Sequence, residues 1–312
     1  MVYKIFFGAT TRKIIMEIDA RVDTDHTNRL PTGLKNITRT EVEAKSGIDS
    51  SIIKSIPIDI VPTVSNDLQI SLGMVTGTSI VVVTGSNSDI DTGSTPEDIW
   101  NGSSGGGIYT GFPLGAAEQV TAISTDAADT SDGTGARTIT VYGLDSSYNQ
   151  ISEVITLNGL TVSSPTTQSF LRLNRAVVTT SGSGGVNAGT ITIKHLTTTT
   201  NIFSVIPIGL NESTVLAYTI PLGFTGYLVS DYVAVVGQTA GVFVVGTSWK
   251  REFGKPAVMT RPFTAYFGYA YQEYHYGGIP LPEKTDLTVR ITESSNTNVK
   301  VIGSMHIVLV AN

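Results

Sequence analysis

The 312-residue chain contains no cysteine. That excludes disulfides, thiolate metal sites and cysteine nucleophiles. A chain without covalent staples relies on burial, which can be shared between subunits. Charge is scarce too: 15% of residues are charged and 40% hydrophobic, against about a quarter charged in ordinary globular domains. No basic run is present. Residues 65–200 carry four basic against eleven acidic side chains, residues 1–64 carry nine against eight, and residues 201–312 seven of each. An acidic middle repels nucleic acid. No apolar run approaches the ~20 residues of a membrane-spanning helix, so no membrane partner is expected. The N-terminus, with Lys4 and only a short apolar run, lacks the long apolar region and small-residue cleavage site of a signal peptide.

What the chain does have is Thr, Ser, Gly and Val. β-Branched residues suit a pleated surface and Gly supplies turns. The clearest segment runs from Arg137 to Gly159. Thr138–Tyr142 alternates polar and apolar, Gly143–Asn149 is turn chemistry, and Ile151–Leu157 resumes the alternation, which predicts a half-buried hairpin. Similar patterns recur along the chain, which predicts an all-β fold. An N-terminal mixed or β region, 1–95, is followed by an antiparallel sandwich over 96–200 and a jelly-roll-like sandwich over 201–312. The polar run Gly85–Pro96 reads as a linker or a long loop and His195–Asn201 as a second junction.

Catalytic chemistry is not evident. His26, His195, His275 and His306 are scattered, and Ser181–Gly185 is a glycine-rich turn, not a nucleophile elbow opening a helix. Gly102–Gly107 lacks the Gly-Lys-Ser/Thr ending of a phosphate loop. Asp126, Asp129 and Asp132 recur at three-residue intervals but without the closing glutamate of a calcium loop, so a solvated acidic turn is expected. No metal, no cofactor and no enzymatic activity are predicted. Two surface features stand out. Ile52, Ile53, Ile56, Ile58 and Ile60 form an apolar cluster between Ser51 and Pro62 that suits docking. Tyr266–Tyr276 concentrates six aromatic residues. If extended, positions 267, 269 and 271 point one way and 266, 274 and 276 the other, one set filling a core and the other facing outward, so Tyr266, Tyr269, Tyr271, Tyr274 and Tyr276 are the candidates from the two sets for a subunit interface or a glycan contact.

Several segments resemble the virion structural proteins of tailed bacteriophages. They are Asp98-Ile99-Trp100-Asn101-Gly102 followed by Tyr109, Gly135–Asp145, Thr156–Gly159, Leu171–Arg175 and Gly182–Ile191. In the last third they are Tyr218–Leu228 (similar to YTIPAGKTGYL), Arg251-Glu252-Phe253-Gly254 and Ile279–Leu287. The resemblance covers 98–312 and leaves the first ninety-odd residues unmatched. It implies a capsid decoration or cement protein: non-enzymatic, bound to the major capsid protein or other virion proteins of the assembled head, and a homo-oligomer, with a trimer expected from particle symmetry. A tail fibre or baseplate adhesin that binds a host glycan is the alternative. The implied location is the virion, assembled in the host cytoplasm.

Overall fold

A computed structural model describes residues 2–6, 15–19, 70, 75–91, 95–102 and 107–312. The chain divides into two compact units, Met1–Thr63 and Val64–Asn312. In the first, β1 (Val2–Phe6) and β2 (Ile15–Asp19) form an antiparallel hairpin in which Val2 faces Asp19 and Phe6 faces Ile15. The apolar cluster Ile52, Ile53, Ile56, Ile58 and Ile60 lies outside the described residues.

The second unit opens with β3 (Thr78–Ile90) and β4 (Glu97–Asp98). Then come β5 (Val120–Ser124), β6 (Ala136–Leu144), β7 (Gln150–Thr156), β8 (Arg172–Ser181), β9 (Ile191–His195) and β10 (Ile202–Ile206). The remainder is β11 (Ala217–Thr219), β12 (Phe224–Val236), β13 (Phe243–Arg251), β14 (Val258–Tyr266), β15 (Tyr271–Leu281), β16 (Asp286–Ser294) and β17 (Val299–Ala311). Every named element is a strand and every ladder is antiparallel, so the all-β expectation holds.

Eight strands build the larger sandwich. One sheet has the order β15-β12-β17-β3 and the other β11-β16-β13-β14, with β4 paired beside β16. Counted along the chain, these strands stand in the orders 1-8-3-6 and 2-7-4-5, the two interlocked Greek keys of a jelly roll. Alternate residues of both sheets meet in one core that includes Val83, Leu228, Val244, Phe263, Val289 and Ile307. The smaller sandwich sits between the first and second jelly-roll strands in chain order. Its sheets are β10-β9-β5 and β7-β6-β8, closed over Ile139, Val141, Phe170, Ile193 and Phe203. The Arg137–Gly159 hairpin forms as its alternation predicts: Thr138 faces Thr156 and Leu144 faces Gln150. Its turn is held by Asp145, whose carboxylate accepts from the backbone N–H groups of Ser147 and Asn149, and Tyr148 takes a φ of 68°.

Two boundary expectations need correction. Gly85–Pro96 is not simply a linker, because β3 runs through it to Ile90, paired with β17 from Thr78↔Val310 to Ile90↔Val299. Its small polar residues fit a crowded place: a Cβ on Gly85 would lie 2.4 Å from the Leu216 backbone nitrogen and 2.7 Å from the Ile99 carbonyl. The segment after His195 is likewise no domain junction, since β10 returns antiparallel to β9 and its Phe203 and Ile206 are fully buried in the smaller core.

Gly85→Ala is expected to cost about 3 kcal/mol, because backbone atoms that cannot move aside meet the new methyl. Urea unfolding checks this. A linker position would change stability by about 0.5 kcal/mol or less.

Candidate functional site

The two sandwiches meet at a buried polar network. Arg172, at the start of β8, donates from Nε to Asp286 Oδ1 at 2.8 Å and from Nη2 to Oδ2 at 3.1 Å. Its Nη1 donates to the carbonyls of Pro113 (2.9 Å) and Leu171 (2.8 Å). Both members of the pair are 2% exposed. Asp286 opens β16 of the jelly roll, and its carboxylate also accepts from Thr219 Oγ1 at 2.7 Å and from the Arg251 guanidinium. Asn174 of β8 closes a two-way bond with the Thr219 backbone, at 3.0 Å in each direction. A second fork, Arg290 on Asp98, has distances of 2.8 and 2.9 Å, and the Asp98 carboxylate also accepts from the Tyr109 backbone N–H.

Aromatic rings fill the space between these charges. Trp100, Tyr109, Phe112 and Trp249 follow one another at centroid distances of 5.1, 4.9 and 5.9 Å. Arg290 lies 5.0 Å over Trp249 and Arg172 5.7 Å over Phe112. Burial pushes the Tyr109 phenol well above its ordinary pKa, and the protonated hydroxyl donates to the Phe203 carbonyl at 2.6 Å. Asp98 and Trp100, Arg172 and Asn174, Thr219, Arg251 and Asp286 come from five separate segments that the sequence singled out. The fold brings them together.

The acidic turn differs from expectation. Asp129 is fully buried. Its Oδ1 accepts from the N–H groups of Ala136 (2.7 Å) and Ala188 (2.8 Å), and its Oδ2 from Ser124 Oγ (2.6 Å) and the Gly189 N–H (2.8 Å). A carboxylate with four donors ties the β5, β6 and β9 ends together and has no oxygen left to offer a cation. Spacing alone could not reveal this, because three of its four donors are main-chain groups.

The aromatic run does not follow a single parity. Tyr266 and Tyr269 exchange backbone hydrogen bonds across a tight turn, with Gly268 at a φ of +86°, so the chain reverses between β14 and β15. Phe267 and Tyr271 pack on the jelly-roll core, Tyr271 stacked on Phe263 at 4.7 Å. Tyr271 is thus removed from the surface set. Tyr266, Tyr269, Tyr274 and Tyr276 stay outside, Tyr276 fully exposed and Tyr269 79% exposed. β14 and β15 are edge strands of the two jelly-roll sheets, so these tyrosines line one open side of the sandwich.

Of the four histidines, His26 lies outside the described residues and His306 is exposed. His195 is buried edge-on against Phe203 at 4.4 Å, its Nε2 has no hydrogen-bond partner, and burial holds its pKa below the ordinary value. His275 is buried beside Asp231 and Glu273, three groups whose ligand-type atoms lie within 4.8 Å of one another. Sequence reasoning missed this trio. The available signal was positions 271, 273 and 275 of β15, an inward-facing register carrying Tyr, Glu and His where a core strand carries aliphatics.

No family model and no curated protein matches the chain. Among solved structures, a chain from the structure of the infectious bursal disease virus Gx strain aligns with 75% of this chain and 72% of its own length, at 10% identity and a TM-score of 0.23. That overlap is too low to define a shared fold.

Asp286→Ala leaves the Arg172 guanidinium buried without its carboxylate and should cost about 3–5 kcal/mol. Adding Arg172→Met to the same variant should recover part of that loss. Chemical denaturation of both variants is the check; a loss under about 1 kcal/mol for Asp286→Ala contradicts the assignment.

Proposed function

We propose that the chain is a non-enzymatic structural protein of a tailed-bacteriophage virion, a capsid decoration protein that binds the assembled head shell as a homotrimer. The observation that carries this reading is the convergence of the resembling segments on the buried network between the sandwiches. Residues that would be reactive in an enzyme are there bound to one another: Arg172 to Asp286, Arg290 to Asp98, Asn174 to Thr219. Such segments specify a stiff, staple-free building block. The jelly roll is also a fold used by viral capsid domains, although a fold alone does not fix a function.

In this reading the chain that precedes β3, with Ile52, Ile53, Ile56, Ile58 and Ile60, docks on the major capsid protein or another virion protein, and many copies supply affinity together. The open side lined by Tyr266, Tyr269, Tyr274 and Tyr276 faces a second copy. That would cover the β14 and β15 edges, which otherwise invite strand addition. Removing Met1–Thr63 should abolish co-sedimentation with heads and leave the shortened chain three per particle by light scattering. Retained co-sedimentation overturns the docking assignment.

The exposure of Tyr274 (62%) and Tyr276 (100%) favours one rival, a tail adhesin whose rings stack on a host glycan. The double variant Tyr274→Ser/Tyr276→Ser separates the two. A shift from trimer to monomer with no change on a glycan array supports the decoration protein. Loss of glycan binding by an intact oligomer supports the adhesin.

A further inference from the structure

Asp231, Glu273 and His275 lie where two ladders of the jelly roll are broken. Between β12 and β15 the pairing passes from Leu228↔Ile279 to Ser230↔Tyr274, so Val229 stands opposite four residues, His275 to Gly278. Gly277 and Gly278 take φ values of +86° and +69° to make the detour. Between β13 and β14 the pairing passes from Thr247↔Pro262 to Ser248↔Thr260, which leaves Arg261 as the bulged residue with a φ of 62°. A non-glycine residue in this region is strained. Both bulges aim a polar side chain inward, a common use of bulges.

The resulting cluster is incompletely satisfied. The Asp231 side chain is 3% exposed, and its Oδ1 accepts no hydrogen bond. His275 Nε2 lies 3.5 Å from that oxygen, and its Nδ1 lies 3.7 Å from Glu273 Oε1. Arg261 Nη1 reaches between them, 3.3 Å from Glu273 Oε1, 3.2 Å from His275 Nε2 and closer still to Nδ1. A guanidinium can only donate, so the imidazole turns a lone pair toward it. Tyr271 donates to the other Glu273 oxygen and fixes that carboxylate. Two carboxylates and an imidazole lone pair thus surround a position now held by a cationic side chain that is 36% exposed and can swing to solvent.

We propose that Asp231, Glu273 and His275 bind a divalent first-row transition ion, which displaces Arg261 and clamps β15 to β12 where their ladder is interrupted. One imidazole and two carboxylates suit Zn²⁺ and its neighbours in the series. The ion would replace the single charge of Arg261 with two, neutralising both carboxylates and giving Asp231 Oδ1 its missing partner. In a chain without cysteine it would act as the staple of this edge, directly beneath Tyr274 and Tyr276.

The test is calorimetric titration of the tag-free full chain with Zn²⁺. One ion should bind per chain. Asp231→Asn and His275→Gln should weaken it about tenfold or more, whereas Arg261→Ala, which removes the competing cation, should tighten it severalfold. Thermal melts should show Zn²⁺ stabilising the wild type and Arg261→Ala but not His275→Gln. Should the buried variants fail to fold, Glu273→Gln at the half-exposed ligand carries the same expectation. Unchanged binding in the ligand variants would assign the ion to His26, His195 or His306 and overturn the proposal, as would no saturable binding by either the wild type or Arg261→Ala.

Discussion

The fork between Arg172 and Asp286 is the contact on which the second unit depends. A sandwich inserted between two strands of another is free by default to move as a separate body, because interfaces between domains are usually small and polar. Here the interface contains an arginine and an aspartate, both 2% exposed. Separating the sandwiches would leave the Arg172 guanidinium without its carboxylate, and breaking such a pair costs several kcal/mol. The two Nη1 donors of Arg172 are satisfied by carbonyls, and further lone pairs of Asp286 by Thr219 and Arg251. These added bonds make the buried pair tolerable and fix its geometry.

The same economy governs the rest of the unit. Asp129 gathers three backbone N–H groups and a serine hydroxyl into one knot, and Asp98 holds Arg290 and the Tyr109 backbone. These carboxylates do the tying that disulfides do in many secreted β-proteins. The cluster around Asp231 departs from this pattern, with a buried carboxylate oxygen left without a hydrogen bond and a strained arginine beside it. An unpaired buried carboxylate oxygen together with backbone strain is what a position shaped for something other than stability shows.

Local order was legible in the sequence and long-range order was not. Alternation gave the Arg137–Gly159 hairpin and the all-β class, because period 2 is written residue by residue. The membership of β3 was hidden, since its partner β17 lies more than two hundred residues away and its second half is polar. The run Tyr266–Tyr276 misled parity because the turn at Gly268 resets which residues face inward. Asp129 looked solvated because its donors are main-chain groups, which composition does not show. The isoleucine cluster 52–60 lies outside the described residues.

The most direct measurement is native-state hydrogen exchange with increasing urea, resolved by peptide across 120–312. If the Arg172–Asp286 junction makes the two sandwiches one cooperative body, amides of β6 and β9 and those of β13 and β17 will converge on one opening free energy. A smaller sandwich that opens well below the jelly roll, with the jelly roll still protected, would contradict the account.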